Sequence, residues 1–261
     1  MEFDRIYAEV DLGRIEENME AMKEHLRPGT KMYGVVKTDA YGHGAVPVAR
    51  TIDRFVCGYA VATVDEGLKL RRHGIEKEIL CLGPVSAGRY QECLENDISL
   101  PMFEYRRAKE LSDAAVAEGK TAKIHIAVDT GMSRIGLFPD EGSVETVKEI
   151  AELPALRIAG MFTHFARADE ADKTNAGEQY RRFREFCDDV KAAGVAVPVC
   201  HCSNSAGIVE LPDFNMDAVR AGITIYGMYP SDEVKQDIIS LKPAMALKSF
   251  ITYIKEIGPG T

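Results

Sequence analysis

One lysine occupies a position from which its amine could reach a ligand. Lys37 directly follows the apolar run MYGVV at residues 32–36, and Gly42 and Gly44 permit a tight turn into the next helix. Its side chain is therefore expected to project from the carboxyl end of a strand. Lysines are mostly exposed, so a solvated charge at a strand end is the ordinary interpretation of such a residue.

Two arginines and a histidine also lie on predicted strands or just after them. Arg134 lies in the segment DTGMSRIG, and its forked guanidinium suits a carboxylate. Arg220 lies on the last predicted strand, where it could pair structurally with a carboxylate or donate a hydrogen bond to a ligand. His164 follows the apolar residues 161–163, and a lone histidine there is more often structural than catalytic.

Asn204 and Ser205 form a polar pair ahead of a short apolar stretch. Such a pair commonly caps a helix. A capped helix start at the mouth of a barrel can also bind phosphate, because its free N–H groups point outward. We favour the phosphate role, and the two roles are compatible.

Short apolar runs alternate with helical stretches along the chain. One helical stretch places apolar residues on a single face: Phe183, Phe186, Cys187 and Val190. The predicted strands are MYGVV, CGYAVA, EILCLG, DISLP, AKIHIAV, LRIAGMF, VPVCHC and NMDAVRAG. Apolar strands that alternate with amphipathic helices predict a parallel sheet closed into a (β/α)8 TIM barrel, with an open doubly wound sheet as the alternative. The functional groups of such a barrel lie at the carboxyl ends of its strands.

The composition is that of a soluble globular protein, with 46% hydrophobic and 28% charged residues. A formal net charge of −9 argues against a general nucleic-acid or anionic-membrane surface. There is no signal-peptide pattern and no apolar run near the about 20 residues that span a bilayer, so we predict a cytoplasmic protein. The glycine-rich motifs of dinucleotide-binding folds and P-loops are absent.

The six cysteines are scattered rather than closely paired, which favours reduced thiols. Cys200, His201 and Cys202 suggest a metal site. A strand alternates its faces, however, so His201 would point away from both thiols. We predict no metal site.

The segment VVKTDAYGHG at residues 35–44 closely resembles the lysine motif of alanine racemases, which are fold-type III pyridoxal-phosphate enzymes. Four further matches follow in order: DTGMSRIG at 129–136, THFA at 163–166, HCSNSA at 201–206 and VRAGITIYG at 219–227. Each match is weak alone, but together they are specific. The resemblance covers most of the chain.

This resemblance implies roles for the cofactor-binding residues. Lys37 is expected to form a Schiff base with pyridoxal 5′-phosphate and to act as the base on one face of the substrate. The cofactor, chiefly its phosphate, would also contact Tyr41, Asn204, Ser205, Gly222 and Ile223.

The resemblance also assigns the two arginines and the histidine. Arg220 would donate a hydrogen bond to the pyridine nitrogen without protonating it, so the ring would be a weaker electron sink than one paired with an aspartate. A short-lived carbanion then favours racemisation over transamination. His164 would link Arg220 to a catalytic tyrosine of the partner subunit, and Arg134 would hold the substrate carboxylate and the phenolic oxygen of the cofactor.

The two ends of the chain differ from the middle, because residues 5–12 and 244–257 alternate as strands outside the barrel pattern would. We assign residues 10–235 to the pyridoxal-phosphate-binding barrel, and residues 1–9 and 236–261 to remnants of a mostly missing C-terminal β domain. The turn-like ending GPGT suggests truncation. The chain alone is therefore expected to be weakly active or inactive.

One position departs from the family pattern. Many alanine racemases carry a lysine seven positions before the arginine of the DTGM motif, and its carbamylated side chain orients that arginine; here the residue is Ala127. A buried guanidinium without a partner would be costly. We therefore expect a small anion such as chloride, or an acidic side chain, beside Arg134.

The resemblance implies pyridoxal-phosphate-dependent interconversion of L- and D-alanine by two-base proton transfer in a homodimer, supplying D-alanine for peptidoglycan. A racemase for serine or another small amino acid is an alternative, because the cofactor performs the same chemistry on any small substrate. A non-catalytic single-barrel carrier of pyridoxal phosphate is another. The motifs around Arg134 and Arg220 argue against the carrier.

Overall fold

The computed structural model describes residues 5–261 and contains a closed barrel of eight parallel strands. The strands are β1 (Ile6–Val10), β2 (Lys31–Val35), β3 (Gly58–Val61), β4 (Glu78–Cys81), β5 (Ile98–Met102), β6 (Ala122–Ala127), β7 (Leu156–Phe162), β8 (Cys200–His201), β9 (Ala218–Ala221) and β10 (Met245–Ser249). The helices are α1 (Leu12–His25), α2 (Lys37–Tyr41), α3 (Ala45–Ile52), α4 (Val64–Arg72), α5 (Tyr90–Glu95), α6 (Tyr105–Ala117), α7 (Glu141–Ala151), α8 (Thr174–Ala192) and α9 (Ser205–Glu210). Short 3-10 helices lie between these elements at Asp53–Phe55, Ala87–Arg89, Pro212–Phe214 and Ile223–Tyr226.

Strands β2 to β9 pair with their neighbours in chain order, and β9 pairs back with β2 to close the barrel. The predicted (β/α)8 fold is therefore confirmed, and the open-sheet alternative is wrong. Every predicted strand overlaps an observed one. The predicted strand VPVCHC is the least accurate, because only Cys200–His201 of it pairs as a strand.

The helices between the strands bury one face each against the barrel. In α8 the residues predicted to share a face are all buried: Phe183, Phe186, Cys187 and Val190. Helix α4 begins with a capping box, in which Thr63 and Glu66 satisfy each other's free backbone N–H groups. Glu66 also accepts hydrogen bonds from the backbone N–H groups of Thr38 and Ala62, so this helix start helps to fix the loop after β2.

A two-stranded antiparallel sheet of β1 and β10 lies outside the barrel ladder. The predicted terminal strands are longer than these, and residues 250–257 form no strand. The domain division predicted at residues 9/10 and 235/236 stays a prediction, and residues 1–4 lie outside the described part of the chain. Several apolar side chains near the carboxyl end are largely exposed: Leu247, Ile251, Tyr253 and Ile254. Among the described residues no helix is long and apolar enough to cross a membrane.

A register shift between β6 and β7 makes room for a polar side chain inside the barrel. Ile124 pairs with Ile158, but the next residue, His125, pairs with Gly160. A Cβ on Gly160 would lie 2.6 Å from His125 Nδ1 and 2.7 Å from the carbonyl oxygen of Val199. The bulge and the glycine together leave space for the imidazole of His125.

We expect Gly160→Ala to lower the free energy of unfolding by about 1–3 kcal/mol, because the added methyl overpacks a site that the backbone cannot widen cheaply. The matched control is Gly177→Ala in α8, where the added Cβ meets nothing within 4 Å. That substitution should be neutral or stabilising by up to about 1 kcal/mol, because alanine favours the helix. Urea denaturation measures both; equal effects of the two substitutions would contradict the role given to Gly160.

Candidate functional site

A cavity of about 520 Å³ opens at the carboxyl end of the barrel strands. The sequence-predicted site residues all line it: Lys37, Tyr41, Arg134, His164, Asn204, Ser205, Arg220, Gly222 and Ile223. A larger cavity, of about 840 Å³, lies at the other end, near the amino ends of β4, β6 and β7. The smaller cavity is the candidate site, because the residues that the sequence singles out converge there and functional groups of barrels lie at this end.

The segment after Lys37 is a single turn of left-handed helix. Residues 38–41 have φ values of 51°, 53°, 57° and 53°, a conformation that disfavours residues with a Cβ. Hydrogen bonds hold this turn closed, among them the 2.9 Å bond from the Ala40 N–H to the Val36 carbonyl. Side chains also brace it, since Asp39 accepts a hydrogen bond from the Ala45 N–H at 2.9 Å. Strain of this kind persists only where the surroundings enforce it, and it clusters at functional sites.

The left-handed turn brings Lys37 and Tyr41 to the same side of the cavity. The Nζ atom of Lys37 lies 5.7 Å from the centroid of the Tyr41 ring. Burial raises the pKa of the Tyr41 phenol, which therefore stays neutral and able to donate a hydrogen bond. The half-buried lysine consequently faces the cavity rather than bulk solvent.

Beside the lysine, at the end of the neighbouring strand β9, hydroxyl and backbone groups form a small polar pocket. The Oγ of Ser205 accepts a hydrogen bond from the Gly222 N–H at 3.0 Å. A Cβ on Gly222 would stand 3.4 Å from both Ser205 Oγ and the Tyr41 hydroxyl, so the missing side chain keeps open the space between these two groups. The N–H of Ile223 has no acceptor among residues 5–261. Neutral hydrogen-bond donors around a small space suit a phosphate group.

Asn204 caps α9, since its Oδ1 accepts a hydrogen bond from the Gly207 N–H at 3.1 Å. The capping role considered for this residue is therefore present in the structure. Its side chain also lines the cavity, so a role toward a ligand stays a prediction. The Gly222 N–H likewise already has an acceptor, which leaves Ile223 as the free backbone donor of that pair.

Arg220 is the most constrained charged residue of the site, with only 3% of its surface exposed. Its Nη1 donates to His201 Nδ1 at 2.9 Å and to the His201 carbonyl at 3.1 Å. Its Nη2 donates to the carbonyls of Thr163 and Cys202, each at 2.9 Å, and to His164 Nδ1 at 3.1 Å. Burial lowers the pKa of Arg220 to about 10, so the guanidinium remains protonated at neutral pH.

One donor of Arg220 is left over. Its Nε has no acceptor within residues 5–261, although the residue lines the cavity. No carboxylate of residues 5–261 contacts the guanidinium, so the structural ion pair considered for Arg220 is not formed in this part of the chain. Arg220 therefore presents a fixed hydrogen-bond donor to a ligand with an acceptor atom.

His164 is held in a neutral form. Burial, followed by the positive charges of Arg220, Arg134 and Lys37, lowers the pKa of its imidazole to about 3. Because Nδ1 accepts from Arg220, the single proton of the neutral ring lies on Nε2. The expected link between His164 and Arg220 is thus present.

Arg134 lines the cavity but is exposed and has no ion pair or hydrogen bond within residues 5–261. The expectation of a buried guanidinium at this position is therefore wrong for the chain as described. No acidic side chain within residues 5–261 forms an ion pair with Arg134, so the carboxylate considered beside it is not observed there, and chloride at this place stays a prediction. Ala127, at the end of β6, is 1% exposed.

Sequence reasoning missed a polar group of residues beneath Arg220. His201, His125 and Glu78 lie inside the barrel and connect to it by hydrogen bonds. The available signal was a polar residue within an apolar strand, as in AKIHIA, where an inward-pointing side chain needs a partner. His201 was considered only as a metal ligand. No cluster of three or more metal-binding side chains occurs in the described residues.

Comparison with known proteins agrees with the geometry. Residues 10–230 match the family model described as "Alanine racemase, N-terminal domain". Over 98% of its length the chain is 40% identical to an alanine racemase of Methanococcus maripaludis and 44% identical to one of Clostridium novyi. It spans 69% and 66% of the lengths of these two proteins, or about two thirds.

Solved structures give the same result. An alanine racemase of Clostridium difficile 630 superposes with a TM-score of 0.96 at 38% identity, covering 100% of this chain and 68% of that one. Another structure of the same enzyme, in complex with cycloserine, superposes equally well and is 39% identical. The closed barrel, the cavity at its carboxyl end and these similarities lead to one conclusion: the chain belongs to the alanine racemase family.

Proposed function

We propose that the chain is the cofactor-binding part of a pyridoxal-phosphate-dependent enzyme that interconverts L- and D-alanine and so supplies D-alanine for peptidoglycan. The observation that carries this proposal is the unpartnered Nε of Arg220, held at the cavity by a guanidinium whose other donors are occupied. A pyridine nitrogen is an acceptor that fits this donor. The alternative of a simple carrier loses support, because the chain belongs to a racemase family.

The residues around the cavity fit pyridoxal phosphate. Ser205, Tyr41 and the Ile223 N–H surround the space beside Gly222 and would hold the phosphate. Lys37 would hold the aldehyde carbon covalently, and Arg220 the ring nitrogen. When bound, the cofactor supplies an electron-withdrawing group that acidifies the α-hydrogen of an amino acid.

Once the substrate amine has taken its place at the aldehyde carbon, the freed Lys37 would act as the base on one face of the substrate, with its Nζ removing or returning the α-proton. Arg220 cannot give up its proton, so it orients the ring without adding positive charge to the nitrogen. This arrangement keeps the electron sink weak and favours return of the proton to the α-carbon. Arg134 would hold the substrate carboxylate with its free guanidinium donors.

The second base would be a tyrosine of a partner subunit, linked to Arg220 through His164. A homodimer is therefore part of the proposal. It is supported by the Nε2 proton of His164, which is left for a further acceptor, and by the exposed apolar side chains of Leu247, Ile251 and Ile254. The preference for alanine over serine depends on the same completed site.

The assignment of Lys37 is tested by adding pyridoxal phosphate to the purified chain. We expect a new visible absorption band, and we expect borohydride to attach the pyridoxyl group permanently to the peptide that contains Lys37. Lys37→Ala should abolish both effects. The control Lys31→Ala changes the exposed lysine at the opposite end of β2 and should preserve them. Label on another lysine, or an unchanged spectrum, would overturn the assignment.

The role of Arg220 is tested by the variant Arg220→Glu in the full-length enzyme. A carboxylate there would favour a protonated ring nitrogen, so the ratio of transamination to racemisation should rise, as measured by pyruvate and D-alanine formation. Arg220→Lys keeps the positive charge and should leave the ratio close to that of the parent. An equal ratio of transamination to racemisation in the glutamate variant and the parent would contradict this role of Arg220.

The free donors of Arg134 lead to a prediction about anions. Because Ala127 cannot be carbamylated, we propose that chloride binds beside Arg134 in the enzyme. Cofactor affinity of this chain, and activity of the full-length enzyme, should rise with chloride concentration at constant ionic strength. Added bicarbonate should change neither of them. The size of the effect should be modest, because exposed charges are screened.

Ala127→Lys provides the matched variant, since it restores the side chain that can be carbamylated. It should become sensitive to bicarbonate and lose its response to chloride. An identical response of the parent chain to chloride and to a bulky organic anion would exclude a chloride site and favour a protein carboxylate.

A further inference from the structure

A continuous chain of hydrogen bonds runs through the barrel beneath Arg220. Its Nη1 lies 2.9 Å from His201 Nδ1, and His201 Nε2 lies 3.1 Å from His125 Nδ1. On the far side of His125, Nε2 lies 3.2 Å from Glu78 Oε1. Four side chains from β9, β8, β6 and β4 thus form one polar path.

This path joins the two ends of the barrel. Arg220 lines the candidate site, whereas Glu78 lines the cavity of about 840 Å³ at the opposite end. His125 and His201 between them are completely buried, with 0% of their surface exposed. Glu78 is additionally bound by the hydroxyls of Tyr33, at 2.7 Å, and Ser99, at 2.8 Å.

The chemistry of the two end groups fixes the direction of every bond in the path. A guanidinium nitrogen can only donate, so His201 Nδ1 must accept and the proton of His201 must lie on Nε2. That proton points at His125 Nδ1, which must therefore accept as well. His125 then carries its proton on Nε2 and donates it to the carboxylate of Glu78.

The reverse arrangement is disfavoured at both ends. If His125 were protonated on Nδ1, it would donate to His201 Nε2, and the His201 proton would move to Nδ1, facing the N–H of Arg220. A doubly protonated His125 has the same consequence. Two donors would then oppose each other in a site without water access, which is costly.

The charges support this direction. Burial opposes ionisation of Glu78, but the hydrogen bonds from His125, Tyr33 and Ser99 outweigh it and hold the pKa of the carboxyl below its usual value. Burial, together with the positive charge of Arg220, lowers the pKa of His201 well below its usual value. The arginine and the carboxylate are thus both charged, and His201 between them is neutral.

We propose that Glu78 and His125 are positioning residues for Arg220: the carboxylate at one end and the guanidinium at the other together fix the tautomers of both histidines, and His201 holds the guanidinium with its Nε directed at the cavity. The statement about the histidines stands on the hydrogen bonds alone. Its consequence for a ring nitrogen in the cavity rests on the function proposed above.

Nitrogen-15 NMR of the histidine rings tests the first part on the 261-residue chain without any cofactor. His125 and His201 should each carry a proton on Nε2 and none on Nδ1 at neutral pH, and His201 should remain so at pH about 5.5, where an ordinary histidine is largely charged. Detection of an Nδ1 proton at either residue at neutral pH, or of a charged His201 ring at the lower pH, would overturn the proposal.

Three variants then separate the role of the Glu78 charge from general damage to the fold. Glu78→Gln, which offers a donor as well as an acceptor, leaves only Arg220 to select the tautomers, so a fraction of the second tautomer should become detectable at the histidines. Tyr33→Phe removes a hydrogen bond to Glu78 but keeps the charge of the carboxylate. Glu152→Gln changes an exposed carboxylate that lines the same cavity as Glu78. Both variants should leave the tautomers unchanged. Unchanged tautomers in a folded Glu78→Gln chain would also overturn the proposal. If that variant does not fold, the tautomers seen in the spectrum of the parent chain decide the question.

Titration with pyridoxal phosphate tests the consequence for the site. Glu78→Gln should raise the dissociation constant roughly tenfold, which is the typical effect of losing a residue that orients a ligand-binding side chain. Tyr33→Phe and Glu152→Gln should have the same dissociation constant as the parent. Equal affinity of parent and Glu78→Gln would refute the positioning role. If the parent itself binds no pyridoxal phosphate, the proposed function fails, while the tautomer measurement still decides the arrangement of the histidines.

Discussion

The buried guanidinium of Arg220 governs the arrangement of the candidate site. A charge that is removed from water must be surrounded by hydrogen-bond acceptors, and in the described part of the chain no carboxylate contacts this one. The barrel supplies backbone carbonyls at the carboxyl ends of its strands, from Thr163, His201 and Cys202, together with two imidazole nitrogens. Because these acceptors are fixed to a closed sheet, the direction of the remaining Nε donor is fixed as well.

The wall of the cavity that carries Lys37 depends on stored backbone strain. Four consecutive residues after Lys37 adopt left-handed dihedral angles, each of which is unfavourable for a side chain with a Cβ. The turn persists because neighbouring elements bind it, notably Glu66 of α4, which accepts the Thr38 N–H. The lysine is thus positioned by packing around it rather than by the preference of its own segment.

Polar side chains inside the barrel connect the candidate site to the opposite end of the fold. Most barrels of this kind fill their interior with branched apolar side chains, but here Tyr33, Ser99, His125 and His201 are buried inside it. Their hydrogen bonds connect a carboxylate at one end to an arginine at the other. The bulge in β7 and Gly160 are the backbone features that accommodate this polar interior.

The sequence by itself determined the fold class and singled out several of the polar residues that line the site. Periodic apolar runs identify strands and helices because burial of one face is a local property of the pattern, and Lys37, Arg220 and Ser205 belong to motifs that are weak singly but specific together. The tertiary structure alone decided how those residues act. The left-handed turn is enforced by contacts with α4, the exposure of Arg134 depends on what packs around it, and the tautomers of His125 and His201 follow from partners on four different strands. Such features arise from groups that are distant in the chain, so no local pattern of residues could reveal them.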